Sequence, residues 1–234
     1  MRTSELVEIL AKYSVVVSER QADLLLMLME ETLRVNETMN LTAIKDQEEF
    51  LDKMIIDSAI VFKPGDLDQK HVLDVGSGAG FPGLVIAILY PDTFVTCLDS
   101  TRKKCKHIEE VAFILGLNNV KVVNARAEVY AKKQREQYDM VISRAVASLD
   151  VLVELCGAFV KTEGFFVAMK SLKADEELDN ASSAIRTMGL KKLKVEETTL
   201  PLSNCKRYNI WFYKKKSCLK KYPREYKEIK ANPL

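Results

Sequence analysis

The chain has 234 residues, 47% hydrophobic and 29% charged, with 9 Gly and 6 Pro, which suits one globular domain with attachments and excludes disordered, collagenous and low-complexity classes. Its 35 Lys and Arg nearly balance 33 Asp and Glu, but unevenly: residues 1–60 hold 6 basic and 12 acidic side chains, residues 205–234 hold 10 basic and 2 acidic. Such a basic end is either a solvated, weakly ordered terminus or a contact for phosphates.

In chain order, residues 18–36 place apolar side chains at helical intervals behind Ser18, a candidate N-cap, and a second helix is predicted over 47–62, stopping before Pro64 and Gly65. Residues 1–65 therefore read as a helical cap. The period then changes. HVLDVG from His71, TFVTCLD from Thr93, VKVVNA from Val120, YDMVISR from Tyr138 and EGFFVAMK from Glu163 are short β-branched or aromatic runs separated by helical stretches, the pattern of a parallel sheet with crossover helices. A weaker strand is predicted at 191–197 and a last one at 207–214, which makes 66–216 the main α/β domain and 217–234 a basic tail. Apolar runs such as Leu24 to Met29 fall far short of the ~18–20 residues of a membrane span. MRTSELVEIL lacks a basic segment followed by an apolar stretch. An unexported, cytoplasmic, monomeric protein is expected. Cys97, Cys105, Cys156, Cys205 and Cys218 contain no CxxC pair, and His71 and His107 no paired spacing, so reduced thiols and no metal are expected.

The segment from Asp74 to Gly83, DVGSGAGFPG, lies where the first predicted strand turns into a helix. Glycines there let the backbone turn sharply and let a ligand approach amides at a helix N-terminus, which points to a nucleotide-like ligand. Two registers coexist. Gly76, Gly78 and Gly80 form GxGxG, while Gly78, Gly80 and Gly83 also satisfy the dinucleotide pattern, so a nicotinamide-dependent oxidoreductase stays open. Asp74 can meet an ammonium group or orient the turn; its charge would repel a pyrophosphate and welcome a sulfonium such as S-adenosylmethionine. Asp99 ends the next strand and suits ribose hydroxyls, or, like Ser100, it caps the following helix. Backbone groups of Ala127 and Glu128, after the third strand, can read an adenine edge, Glu128 being otherwise a helix-start acid. The fourth strand ends in Ser143-Arg144-Ala145-Val146-Ala147, without the Asp or Asn, Pro-Pro and aromatic set that holds an exocyclic amine. A ring nitrogen with a free lone pair does not need that set. Arg144 is expected to be functional, since a charge seldom follows a buried strand without a partner.

With these runs the chain resembles, over nearly its whole length, the bacterial small-subunit ribosomal RNA guanine-N7 methyltransferases, also called the glucose-inhibited division protein B family. The resemblance is carried by Asn40-Leu41-Thr42-Ala43-Ile44, Asp57-Ser58, Asp74 through Leu84, Leu98-Asp99-Ser100, Arg126-Ala127-Glu128, Ser143 through Leu149, Lys221-Tyr222-Pro223-Arg224 and Pro233-Leu234. It implies a class I S-adenosylmethionine-dependent fold: a Rossmann-like, seven-stranded, mostly parallel sheet with an N-terminal helical extension. It also implies cofactor contacts through Gly76, Phe81, Ala127, Glu128 and Arg144, with 16S ribosomal RNA or the small subunit as partner. The chain departs from the family pattern at Met54, where a His is usual, at Ser171, where Gly is usual, and at Glu225 to Ile229, which replace a Gly and Pro spacing.

Methyl transfer to N7 of guanine, with S-adenosylhomocysteine leaving, removes no proton and so needs alignment rather than a general base. Arg144 is then expected at the cofactor edge or at guanine O6. Asn40 and Asp57 are candidate base contacts, or alternatively an N-cap and a helix-surface acid. RNA capture is expected from Lys206, Arg207, Lys214, Lys215, Lys216, Lys220, Lys221 and Arg224, with Arg102, Lys103, Lys104 and Lys106 at the rim. Of the aromatics, residues 208–213 alternate into the core, leaving Tyr222 to stack on a base. Charge alone also allows a noncatalytic RNA-binding ribosome assembly factor.

Overall fold

The computed structural model describes residues 1–144, 147–171 and 174–234. The β-branched and aromatic runs become β1 (His71–Val75), β2 (Phe94–Asp99), β3 (Val120–Asn124), β4 (Tyr138–Arg144), β5 (Val160–Lys170), β6 (Leu190–Thr199) and β7 (Lys206–Lys214). They form one sheet in the order β3-β2-β1-β4-β5-β7-β6. Neighbours from β3 to β5 are parallel, and β7 runs antiparallel to both β5 and β6. The order reverses between β1 and β4, and in open α/β sheets a crevice opens at the carboxyl ends beside that switch.

The N-terminal segment supplies α1 (Thr3–Lys12), α2 (Glu19–Met39), α3 (Gln47–Phe50), a π-helical stretch Leu51–Ile56 and α4 (Asp57–Ala59). Ser18 caps α2 in a capping box with Gln21, as its place in the sequence predicts. The helix expected over 47–62 forms over 47–59 with a π-helical centre, and two buried acids hold it to distant parts of the chain. Asp52 accepts from the backbone N–H groups of Leu202 and Ser203 at 3.2 and 2.9 Å, and Asp57 faces Arg144 and Arg207. Later helices are α5 (Gly83–Leu89), α6 (Arg102–Ile114), α7 (Ala127–Ala131), α8 (Leu149–Gly157), α9 (Ala174–Asn180), α10 (Ser182–Thr187) and α11 (Tyr226–Ala231). No helix among the described residues is long and apolar enough to cross a membrane.

Two apolar layers sandwich the sheet. On one side Leu25, Phe50 and Ile55 of the N-terminal helices share a core with Leu84 and Ile108; the other is built on Leu152, Phe159, Phe166 and Phe212. Each such side chain contributes roughly 1.5–3 kcal/mol. Phe50 packs edge-on against Phe81 at 5.4 Å, which ties the N-terminal helices to the glycine turn. The basic end is docked rather than loose. Cys218 and Tyr222 are buried, Ile229 packs on Val151 and Leu155, and the Arg135 guanidinium donates to the carbonyls of Cys218, Leu219 and Tyr222.

Candidate cofactor crevice and adjoining cavity

After β1 the backbone enters the left-handed region at Gly76, Gly78 and Gly80, with φ of 75°, 59° and 99°, which only glycine adopts without strain. The N–H groups of Gly76 and Ser77 donate to Leu98 O at 2.8 and 3.1 Å and fasten the turn to β2. Gly83 answers a close approach: a Cβ there would lie 2.6 Å from Cys97 Sγ and 2.9 Å from Asp74 Oδ2. Asp74 is fully buried and accepts the Gly83 N–H at 2.9 Å through Oδ2. Burial pushes its carboxyl up to about 6, against the pull of that N–H.

A crevice of about 500 Å³ opens at the ends of β1 to β4. Gly76, Gly78, Phe81, Asp99, Ser100, Ala127, Glu128 and Arg144 all line it. A Cβ built on Gly78 would meet only Gly76 O, at 3.9 Å, so the space beside the turn is open to a ligand. Asp99 uses Oδ2 to accept the Gly78 N–H at 3.0 Å and Oδ1 to accept that of Thr101 at 2.7 Å. A carboxylate has about four lone-pair sites, so these two bonds leave acceptor capacity for hydroxyl groups. Glu128 sits in the first turn of α7, 4% exposed.

A second cavity of about 440 Å³ lies beyond Met54 and Arg144, which line both spaces. Lys53, Asp57, Arg207 and the Lys170–Glu177 pair, 2.6 Å apart, line it together with the apolar Ile44 and Met169. Arg144 Nη1 donates to Lys53 O at 3.0 Å and Ser58 Oγ at 3.3 Å, Nη2 to Met54 Sδ at 3.2 Å, and the guanidinium lies 5.9 Å from the Phe81 ring centre. Asp57, 2% exposed, bridges Arg207 Nε at 3.2 Å and Arg144 Nη1 at 3.8 Å. Burial raises its carboxyl pKa while both arginines oppose the rise.

Residues 21–205 match the family model described as rRNA small subunit methyltransferase G. The chain belongs to that family. A relative named ribosomal RNA small subunit methyltransferase G from Halalkalibacterium halodurans is 42% identical over 202 residues, 85% of each chain. One of the same name from Lactobacillus helveticus is 37% identical over 230 residues, 96% of each. Among solved structures, M. jannaschii TYW2 in complex with AdoMet superposes with a TM-score of 0.53 at 16% identity, covering 64% of this chain and 71% of that one. Aeropyrum pernix fibrillarin, natively bound to S-adenosyl-L-methionine, gives 0.53 at 11% identity, covering 65% and 70%. The fold is thus the class I methyltransferase fold, and the family's cofactor is S-adenosylmethionine. The crevice fits it: the open glycine turn, the Asp99 carboxylate and the start of α7 form a slot sized for an adenosine-bearing ligand. The nicotinamide reading is not favoured.

Several expected members of the methyltransferase site lie elsewhere. Asp74 is sealed beneath the turn, outside the crevice lining, so of its two roles the geometry fits orienting the turn. Gly80 also packs inward; a Cβ there would press on Leu84. Asn40 is the left-handed C-cap of α2, exposed and away from the crevice, whereas its neighbours Leu41 and Thr42 line it. Asp57 is no surface acid, and Arg144 Nη1 is engaged by the π-helix. Among the RNA candidates, Tyr222 is 9% exposed and cannot offer its ring to a base, with Lys221 Nζ over it at 5.1 Å. Arg224 is clamped on buried Glu154 at 2.6 to 3.2 Å, and Lys214 is fully buried, donating to Gly157 O and Met188 O. Arg207 lines the second cavity, and Lys206 pairs with Glu197 at 2.6 Å. Arg102 and Lys103 are exposed on α6, Lys104 lines the crevice and Lys106 pairs with Glu110. Lys215, Lys216, Lys220 and Lys221 are exposed. Ala145 and Val146 lie outside the described residues. Sequence reading missed Thr42, Met54 and Tyr226 on the crevice. Met54 and Tyr226 both stand where the chain departs from the family pattern, a signal that carries no role for either side chain.

Proposed function

We propose that this chain transfers the methyl group of S-adenosylmethionine to N7 of a guanine in 16S ribosomal RNA of the small subunit, in the cytoplasm. The observation that supports this most is the pair of adjoining compartments walled by Met54 and Arg144, one fitted to the cofactor and the other basic with apolar sides. Apolar Ile44 and Met169 suit the faces of a purine, and Lys53 and Arg207 suit the phosphates beside it. The relatives' names supply the RNA.

The bound cofactor supplies an electrophilic methyl carbon. The chain's task is to hold the acceptor lone pair roughly 3–3.5 Å away and in line with the breaking bond. N7 carries no proton, so no base is required; Asp57, held between two guanidiniums, is placed as an anchor. Arg144 positions Met54 and the π-helix at the wall instead of donating to guanine O6. Asp57 offsets part of the Arg144 charge, which lessens its opposition to the positive charge growing on the purine. The test is incubation of unmodified 16S RNA and small subunits with labelled cofactor, followed by nucleoside mass spectrometry. 7-Methylguanosine is expected. Label on protein, on another base, or nowhere would refute the proposal, the last outcome favouring a noncatalytic RNA binder.

A further inference from the structure

The C-terminal segment lies beyond the residues that the family model matches, yet Tyr226, the first residue of α11, lines the cofactor crevice. It is held there by an anchored strap. Arg224 joins Glu154 of α8 through its backbone N–H at 2.9 Å and its guanidinium at 2.6 Å, and Glu154 is 0% exposed. On the other side of Tyr226, Ile229 is also 0% exposed and packs with Val151 and Leu155. Lys132 of the segment after α7 reaches Glu225 at 2.8 Å. Two buried anchors, one on either side, hold the backbone at Tyr226 against α8.

The ring's neighbours say what it faces. Tyr226 and Ala127, the first residue of α7, both pack on the cluster of Val151, Leu155 and Ile229 and both line the crevice. Asp99, at the end of β2, pairs in register with Asn124 of β3. A nucleoside whose ribose meets the free acceptor sites of Asp99 lays its base toward the part of the crevice lined by Ala127 and Tyr226. Flat purines gain from an aromatic face whatever their edge pattern. We propose that this C-terminal strap completes the cofactor site, the Tyr226 ring forming a wall against the adenine base. The proposal rests on the crevice holding S-adenosylmethionine. It makes the tail a part of the cofactor site in addition to any part it plays toward RNA.

The test is calorimetric titration of the full chain with S-adenosylhomocysteine and with 5′-methylthioadenosine, which lacks the amino-acid portion. Tyr226→Ala should weaken both by the same factor, roughly tenfold to a hundredfold, and Tyr226→Phe should bind nearly as wild type. Tyr226→Leu keeps an apolar filler on the cluster of Val151, Leu155 and Ile229 and guards against a folding loss, read from thermal unfolding without ligand; it should bind as weakly as the alanine variant. Unchanged affinity in Tyr226→Ala, full recovery by Leu, or a loss in Phe equal to that in Ala would each overturn the assignment. A wild-type chain that binds neither ligand would instead remove the cofactor reading, and this proposal with it.

Discussion

Replacing Asp74 by Asn isolates the cost of keeping a carboxylate under the glycine turn. The amide keeps an oxygen for the Gly83 N–H and removes the charge. In the unfolded chain the carboxyl titrates near its ordinary 3.8, while burial holds it at about 6 in the folded protein. Between those pH values the folded state binds the proton that the unfolded state has lost, so stability falls as pH rises through the window and levels off above it. At ~1.4 kcal/mol per pKa unit the full drop is about 3 kcal/mol. Urea unfolding of wild type and Asp74→Asn from pH 4 to 7.5 reads the difference directly, because the other acids titrate in both proteins and cancel. Because pH 4 already lies above the unfolded value, the variant should gain about 2.4 kcal/mol over wild type between pH 4 and neutral pH. A difference that stays flat across the window would refute the assignment of that cost to Asp74.

Asp57→Ala removes the shared partner of two largely buried guanidiniums and should cost about 3 kcal/mol in urea unfolding; a loss under about 1 kcal/mol would mean that water already compensates them. Gly83→Ala forces a methyl onto Cys97 and Asp74, and should cost about 1–3 kcal/mol while weakening S-adenosylhomocysteine; an unaltered melting point and affinity would contradict the close approach. RNA affinity should fall steeply with salt, and replacing exposed Lys103, Lys220 and Lys221 together by Ala should reduce the log–log slope by about 3. An unchanged slope would take those lysines out of the interface.

What could be seen in the sequence is what depends on near neighbours along the chain. Glycine spacing after a β-branched run dictates a left-handed turn, and alternation of such runs with helical stretches dictates a parallel sheet, so β1 to β7 and the crevice lining of Gly76, Gly78, Asp99, Ala127 and Glu128 were legible. The resemblance to the methyltransferase family added the cofactor. Burial and pairing across the chain were not legible, because composition registers a charge without its partner. Arg224 and Lys214 count as basic tail residues in sequence, yet one is clamped by Glu154 from 70 positions away and the other is capped by two carbonyls inside the core. Asp57 and Arg144 met only when the π-helix came over the end of β4, and Tyr226 joined the crevice lining only because Ile229 found an apolar seat on α8. Local sterics and hydrogen bonding are written in residue spacing, whereas the sharing of charge and the walls of a cavity depend on which distant surfaces exclude water together.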